Sequence, residues 1–106
     1  MKRGDVWWVS FEAATGGEIR KRRPAVIISN NTANQFANRV QVVPVSSRID
    51  KLYPCETLIE IDRRKCKAMA DQLATVSKRR LLSPLTSLSS EELQRIEIIV
   101  RLQLGL

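Results

Sequence analysis

Two short segments of the chain carry residue types that could bind and stabilise a phosphate group. Arg23 stands directly before a proline and an apolar run, at the predicted junction between a long loop and a strand. A guanidinium held in this way can bind two phosphate oxygens in a fork and stabilise charge that develops on them. Ser46 and Ser47 follow a second apolar run, which places two hydroxyls at the predicted end of another strand. Each pattern alone is more often structural, because serines at strand ends form turns and arginines before strands are common surface charges.

The residue types that are missing narrow the chemistry further. The chain has no histidine, which excludes imidazole acid–base catalysis, histidine-ligated metals and Ser-His-Asp triads. Its two cysteines, Cys55 and Cys66, lack the CxxC spacing of a metal or redox site. We therefore expect no metal, no cofactor and two reduced thiols. Arginine, hydroxyl, carboxylate and lysine side chains remain as candidate reacting groups.

The balance of charge favours a polyanionic partner. Eighteen Lys and Arg residues against eleven Asp and Glu residues give a net charge of +7, and the pI is near 10.1. A surplus of this size in a small domain indicates nucleic acid or an anionic membrane surface. The basic residues gather in three clusters, Arg20–Arg23, Arg63–Lys67 and Lys78–Arg80. One such cluster is typical of a solvated loop, whereas three together favour a phosphate-binding face.

The pattern argues against membrane association. A surface helix that binds lipid combines a basic face with a bulky apolar face, and none of the three clusters continues into such a helix. No stretch reaches the ~20 apolar residues of a membrane span. The charged start, Met1–Asp5, leads into no signal-peptide apolar core. We therefore expect a cytoplasmic protein without membrane contacts.

Hydrophobic patterning predicts five or more short strands. They are expected at Val6–Phe11, Ala25–Ser29, Val40–Val45, Thr57–Ile61 and Ala68–Val76. A long polar loop, Glu12–Arg23, separates the first two strands, and loops of this length in compact domains are usually functional or disordered. We predict a turn and a short helix within 30–38, and a basic turn over 63–67. Pro44 predicts a sheet edge or a bulge, because proline cannot donate to the ladder.

The end of the chain predicts a capped helix. Ser89 and Glu92 fit a capping box, and Gly105 is placed to end the helix. Apolar residues recur at helical spacing between these signals, and Ile98 and Leu102 widen the apolar stripe beyond one face. A partner subunit or a deep groove in the core would each explain this width. Strands and helix together predict one domain over residues 1–106, mainly β with α, built as a compact barrel with the helix packed on its side.

Five blocks of the sequence, in order and spacing, resemble the MazF/PemK family of toxins. The blocks are Arg3–Trp7, Arg23–Asn30, Pro44–Ser47, Asp71–Leu81 and Leu102–Leu106. The resemblance implies an SH3-like α+β barrel of the CcdB/MazF type, a homodimer, and an endoribonuclease that is the toxin of a type II toxin–antitoxin pair. Members of the family cleave single-stranded RNA at short sequences without a metal and leave a 2′,3′-cyclic phosphate and a 5′-hydroxyl. The 2′-OH of the RNA is then the nucleophile, so the protein need only position it and stabilise charge.

The resemblance also assigns roles to single residues. Arg23 matches the arginine that the family uses in catalysis, and Ser46 matches a position where several members carry threonine. A guanidinium is not deprotonated near neutrality, so we expect Arg23 to stabilise the pentacoordinate phosphorane rather than to transfer a proton. Ser46 would orient or donate to a phosphate oxygen. The expected RNA contacts are Glu18, Arg22, Asn30, Ser47, Asp71 and Gln72, and Asp71 matches a carboxylate implicated in catalysis in some members.

Departures from the family pattern keep two other functions open. The segment from Glu18 to Arg23 is more basic than in many relatives, and Ala74 stands where many members place an arginine. One alternative is a non-catalytic toxin of the same fold that poisons DNA gyrase, as the CcdB toxins do. The other is a degenerate member that only binds nucleic acid or its antitoxin. Arg23, Ser46 and the basic loops favour the nuclease, because a gyrase poison needs no phosphate site beside a hydroxyl.

The expected protein partner is an acidic, partly disordered antitoxin tail of the MazE kind, which the net charge of +7 would attract. We expect this tail to lie over the groove lined by Arg23 and the first loop, where it would block RNA. Base selection is expected to depend on the segments 12–23 and 48–55.

Overall fold

Seven strands and two α-helices form the part of the chain that the computed structural model describes, residues 1–11 and 21–106. Two single-turn 3₁₀ helices, Ala70–Gln72 and Lys78–Arg80, connect strands in the second half. The elements are β1 (Asp5–Phe11), β2 (Lys21–Ile27), α1 (Asn31–Phe36), β3 (Arg39–Ser46), β4 (Glu56–Ile61), β5 (Arg64–Met69), β6 (Ala74–Ser77), β7 (Leu81–Ser87) and α2 (Ser90–Leu104).

All strand pairs are antiparallel, and β3 is the centre of the sheet. The strand order is β4-β5-β3-β2-β1-β7, with β6 paired to β3 outside this path. β3 therefore has three partners: β2 along one edge, and β6 followed by β5 along the other. The sheet does not close, but the fold is barrel-like and α2 packs against β4, so the predicted class, mainly β with a C-terminal helix, is confirmed.

The change of partner along β3 explains why the strand tolerates a proline. The backbone carbonyl of Gln41 accepts a hydrogen bond from the N–H of Ile28 on the β2 side. Backbone groups alternate in direction along a strand, so those of Pro44 point away from β2. On that side the pairing with β6 ends at Val42, and the pairing with β5 begins at Val45. The predicted edge or bulge is therefore wrong: Pro44 lies inside a central strand, at a position where no ladder donor is required.

The segment between β4 and β6 differs from its prediction in two ways. The expected strand over 68–76 is broken by the 3₁₀ turn, in which the N–H of Leu73 donates to the carbonyl of Ala70. In place of the expected basic turn over 63–67, the turn between β4 and β5 consists of Asp62 and Arg63, which take positive φ values of 50° and 66°. The rest of that basic segment belongs to β5. A further strand, β7, has no counterpart among the predicted strands and is held by pairing with β1.

Two groups of buried side chains fill the barrel. Val26 belongs to the group that also contains Ile96 and Ile99 of α2, whereas Ala25 and Ile27 belong to the other. Alternate residues of a strand point to opposite faces, so β2 is buried on both faces and its sequence reads as an unbroken apolar run. The residues just before this run are thereby attached to a rigid part of the core.

Helix α2 begins and ends where the sequence predicts. The Ser89 hydroxyl accepts from the N–H of Glu92, the Glu92 carboxylate accepts from the N–H of Ser89, and Gly105 ends the helix with a φ of 72°. Ile98 and Leu102 remain 65% and 60% exposed, so a deep core groove does not account for the wide apolar stripe. No helix in the described part of the chain is long and apolar enough to cross a membrane.

Candidate active site

Arg23 lies inside β2 and not at its junction with a loop. The strand begins at Lys21, and Phe11, Ser10 and Val9 of β1 pair with residues 21, 22 and 23. The prediction of a loop over 12–23 is therefore wrong for its last three residues, which belong to β2. Pairing with β1 keeps this polar, charged segment extended, since strand formation depends on neighbouring strands more than on composition. The Arg23 backbone is thus held in a ladder, which limits the positions that its guanidinium can reach.

The antiparallel register of β2 and β3 brings Ser46 beside Arg23. Ala25 pairs with Pro44, and both chains continue two residues further in opposite directions. Those two residues, just beyond the last pair of the ladder, are Arg23 and Ser46, so they lie at the same end of the two strands, and both line one groove. On its other side Ser46 is paired with Lys67 of β5. The two residues that the sequence singles out for catalysis are therefore brought together by strand pairing.

An open groove, which we call the Arg23–Ser46 groove, runs over this end of the sheet and has a volume of about 460 Å³. Its described lining combines three guanidinium groups with two hydroxyls and an exposed indole ring. The lining residues are Trp8, Arg22, Arg23, Pro24, Val45, Ser46, Ser47, Arg48 and Cys66. Guanidinium and hydroxyl donors around an open, solvent-filled space are the groups that bind a phosphodiester.

The Ser46 hydroxyl is oriented by the backbone that follows it. The N–H of Arg48 donates to Ser46 Oγ at 3.2 Å. A hydroxyl that already accepts one hydrogen bond keeps its own proton to donate. Ser46 is partly exposed and lines the groove, so this proton is available to a phosphate oxygen bound there.

The arginines of β2 carry uncompensated charge within the described part of the chain. Among residues 1–11 and 21–106, no carboxylate forms an ion pair with the guanidinium of Arg22 or Arg23. Arg23 is partly buried and Arg22 is exposed. Two neighbouring cations beside Arg48 give the groove a positive potential, which suits an anionic ligand.

Trp8 and Cys66 line the groove although no pattern in the sequence indicated a role for them there. Arg48, which also lines it, is the first residue of the segment 48–55 that is predicted to influence base selection. Trp8 pairs with Pro24 across β1 and β2 and is 37% exposed, so an aromatic residue on a half-exposed strand was the available signal. Partial burial raises the pKa of the Cys66 thiol, an effect that the nearby Arg64 cation opposes in part. The thiol is therefore neutral at pH 7 and is a poor nucleophile.

The other predicted RNA contacts lie elsewhere or outside the described residues. Asn30 caps α1, where its side-chain oxygen accepts from the N–H of Ala33 at 2.8 Å. Asp71 and Gln72 are exposed in the 3₁₀ turn after β5, and neither lines the Arg23–Ser46 groove. Glu18 lies outside the described residues. A role in RNA binding stays a prediction for all four.

Only the first of the three basic clusters contributes Lys or Arg side chains to the described lining of the groove. Arg63 and Arg64 lie at the turn between β4 and β5, and Lys78–Arg80 follow β6. Lys67 is no solvated loop cation, because it is 8% exposed and its ammonium forms an ion pair with Glu56 at 3.0 Å. The structure therefore assigns this cation to the internal framework of the fold.

Comparison with known proteins connects this fold to one family. The family model described as the PemK-like, MazF-like toxin of type II toxin–antitoxin systems matches residues 2–104. The endoribonuclease MazF9 of Mycobacterium tuberculosis is 37% identical, and the match covers 100% of this chain and 98% of that protein.

Solved structures agree with this match. MazF from Deinococcus radiodurans superposes with a TM-score of 0.84 at 26% identity, covering 100% of this chain and 97% of that one. The MazE–MazF complex from the same organism gives a TM-score of 0.84 at 25% identity, with 100% and 96% of the two chains covered. The family match spans nearly the whole length, and the strands, the C-terminal helix and the Arg23–Ser46 groove all lie within it. The chain therefore belongs to the PemK-like, MazF-like toxins of type II toxin–antitoxin systems.

Proposed function

We propose that this toxin is an endoribonuclease that cleaves single-stranded RNA in the cytoplasm without a metal ion, and that a cognate antitoxin neutralises it. The relative at 37% identity is named an endoribonuclease, which supports the reaction class. The observation that carries the proposal is the meeting of Arg23 and Ser46 in one open, cationic groove. Such a groove fits a flexible phosphodiester backbone better than it fits a compact small molecule.

The reaction uses a nucleophile that the RNA itself supplies. The 2′-oxygen attacks the adjacent phosphorus, a bond from O2′ to phosphorus forms, and the bond from phosphorus to O5′ breaks. The 2′-hydroxyl loses its proton, and the departing 5′-oxygen takes up a proton to become a hydroxyl. The products are a 2′,3′-cyclic phosphate and a 5′-hydroxyl, so no water is consumed in this step.

The protein contributes charge stabilisation and alignment to this step. Negative charge increases on the non-bridging oxygens as the pentacoordinate phosphorane forms. The Arg23 fork can bind two of these oxygens, and the Ser46 hydroxyl, already oriented by the N–H of Arg48, can donate to one. Donors that are fixed before the reaction need no reorganisation in the transition state, which is how a site without histidine can accelerate it.

The proposed assembly is a homodimer that binds an acidic antitoxin segment. Ile98 and Leu102 of α2 are mostly exposed in the isolated chain, and a second copy could cover them. A structurally similar endoribonuclease from a Mycobacterial species is in complex with its cognate antitoxin, which supports an antitoxin partner for this chain. We propose that an acidic tail of this chain's antitoxin lies over the Arg23–Ser46 groove and competes with RNA, aided by the net charge of +7.

Cleavage mapping tests the proposal directly. Purified protein is incubated with a long single-stranded RNA in EDTA, and the 5′ ends of the products are sequenced. We expect discrete cuts at one short sequence, and we expect Arg23→Ala to make them about 10²- to 10³-fold slower. Arg39→Ala is the matched control, because Arg39 is exposed at the start of β3 and does not line the groove. Intact RNA with folded, antitoxin-free protein would overturn the nuclease proposal.

A further inference from the structure

The segment 47–55, which joins β3 to β4, presents several apolar side chains to solvent next to the groove. Tyr53 is 56% exposed, and Ile49 and Leu52 are 40% and 50% exposed. Arg48, near the start of the same segment, lines the Arg23–Ser46 groove. Exposed aromatic rings beside a cationic groove are the usual elements of a single-strand nucleic acid site, because every base has a face that can stack.

A buried ion pair anchors this segment to the sheet. Glu56 Oε1 accepts from Lys67 Nζ at 3.0 Å and from the N–H of Tyr53 at 2.9 Å. Lys67 Nζ also donates to the carbonyl of Lys51 at 3.0 Å. The two side chains of the pair are only 10% and 6% exposed. Burying two charges is costly, and here the pair binds the backbone at two points of an otherwise irregular segment.

The same lysine holds the Tyr53 ring. Lys67 Nζ lies 5.7 Å from the centroid of the ring, within the range of a cation–π contact. The backbone bond to Glu56 and the cation together restrict both ends of the tyrosine. A ring that is held in this way and remains more than half exposed can accept a base with little further loss of side-chain entropy.

Strand pairing places this ring close to the proposed scissile phosphate. Lys67 of β5 is paired with Ser46 of β3, and directly paired residues have Cα atoms about 5 Å apart. The ring contacts the end of the Lys67 side chain, while Ser46 lines the groove. A nucleotide that flanks the phosphate at Ser46 is therefore the part of the RNA that this ring can reach.

We propose that Tyr53 is a stacking subsite for an RNA base that flanks the cleaved bond, and that the Lys67–Glu56 pair is the positioning device for it. This inference rests on the proposed ribonuclease function. Trp8 supplies a second exposed ring within the groove, on the other side of the β2–β3 end. The two rings would hold bases on either side of the phosphate that Arg23 and Ser46 bind.

Binding of a single-stranded 2′-O-methyl RNA of mixed sequence tests the subsite without requiring cleavage. We expect Tyr53→Leu to raise Kd by about 5- to 150-fold, the range for loss of one base–aromatic stack. Tyr53→Phe keeps the ring and should bind as the wild type does. Phe36→Leu is the matched control, because Phe36 is an exposed aromatic residue on α1 and lines no part of the groove.

An abasic scan identifies the stacked nucleotide. Oligonucleotides that lack one base at a time are compared for wild type and Tyr53→Leu. At the stacked position, removal of the base should weaken wild-type binding while leaving Tyr53→Leu unaffected. An equal loss in both proteins at every position would overturn the subsite.

The positioning role of the ion pair has its own readout. The double variant Lys67→Met/Glu56→Leu removes the oxygen that accepts from the Tyr53 amide without leaving a single buried charge, so it should accelerate hydrogen exchange at this amide and raise the Kd for RNA while Tyr53 itself is unchanged. Unchanged exchange at this amide would overturn the anchoring role. If Tyr53→Leu binds RNA normally and only antitoxin binding weakens, the surface belongs to the protein partner and the RNA subsite is wrong. Wild-type protein that binds RNA through Tyr53 but does not cleave it would refute the nuclease and leave the stacking subsite standing.

Discussion

Ser46 and Lys67 are paired across β3 and β5, and their side chains serve different parts of the molecule. The Ser46 hydroxyl lines the open groove, whereas the Lys67 ammonium is buried against Glu56. One cross-strand pair thus contributes a proposed catalytic donor and an internal anchor. Because both residues belong to the same ladder, the position of the hydroxyl depends on how firmly β5 and the following loop are held.

This relationship predicts that the buried pair matters for stability as a unit. Lys67→Met leaves Glu56 buried without its cation, so we expect the free energy of unfolding to fall by about 3–5 kcal/mol. The double variant Lys67→Met/Glu56→Leu removes both charges and should recover a large part of that loss, because a well-packed apolar pair is often as stable. Urea denaturation measures both. A double variant that is less stable than Lys67→Met would contradict this account of the pair.

If the Arg23 guanidinium binds two phosphate oxygens, a positive charge at this position is not enough for full cleavage activity. Arg23→Ala should lower the single-turnover cleavage rate by about 10²- to 10³-fold, the usual cost of losing one preorganised donor to a developing oxyanion. Arg23→Lys retains the charge and loses the fork, so it should recover only a small part of this rate. Single-turnover kinetics on the mapped RNA site measures both variants. Near-full activity of Arg23→Lys would refute bidentate binding.

The proposed role of the Ser46 hydroxyl predicts different cleavage rates for two substitutions, one that removes the hydroxyl and one that keeps it. Ser46→Ala removes a donor to a charged oxygen, so we expect the cleavage rate to fall by about 10- to 150-fold. Ser46→Thr keeps the hydroxyl and adds a methyl that restricts χ1 in a strand, so it should cleave at a rate near that of the wild type. Ser90→Ala, an exposed serine at the start of α2, controls for loss of a hydroxyl away from the groove. Equal rates for the alanine and wild-type proteins would remove Ser46 from the mechanism.

Sequence reasoning succeeded where a few local residues decide the geometry. Ser89, Glu92 and Gly105 mark both ends of α2, because capping and a left-handed C-terminal residue are chemical requirements of a helix terminus. The segment Leu81–Ser87 gives no such signal. Its strand is imposed by pairing with β1 over a long sequence separation, and its serines and proline are not residue types that favour a strand.

The candidate site shows the same division. Arg23 and Ser46 were recognisable because each adjoins a strongly apolar run and each matches a family block. Trp8 and Cys66 were not, because membership of the groove follows from which strands become neighbours. The register that joins β1, β2, β3 and β5 at one end of the sheet is a tertiary property, and no local pattern in the sequence encodes it.

The exposed stripe on α2 predicts a self-association surface. Ile98→Glu places a charge within the apolar stripe that Leu102 continues, so we expect it to convert a dimer into a monomer. Size-exclusion chromatography with light scattering measures the mass of each protein. Arg101→Glu changes an exposed residue of the same helix and is the control for an added carboxylate. If the wild type is a monomer at micromolar concentration, the homodimer proposal is wrong.

The hydrogen bond between Glu92 of α2 and the backbone of β4 predicts that the free energy of unfolding depends on pH through the Glu92 carboxyl. Partial burial acts to raise the pKa of this carboxyl, but the backbone N–H groups of Glu60 and Ser89, the Ser89 hydroxyl and the Arg95 cation lower it by more. The folded-state pKa therefore lies below the unfolded value of about 4.3. The resulting stabilisation is present above the unfolded pKa and is lost as the pH falls through the folded pKa.

Glu92→Gln isolates this term, because glutamine retains capping ability and carries no charge. We expect the variant to be less stable than the wild type at pH 7 by roughly 0.3–1 kcal/mol, the range for a carboxylate at a helix N-terminus. The difference should shrink as the pH falls through the lowered folded-state pKa of Glu92, because the wild-type carboxyl is then protonated as well. Thermal unfolding at a series of pH values measures the difference in stability between the variant and the wild type. Glu91→Gln is the control in the same helical turn. A difference between Glu92→Gln and wild type that stays constant from pH 7 to pH 3 would show that the charge of Glu92 contributes nothing to the contact with β4.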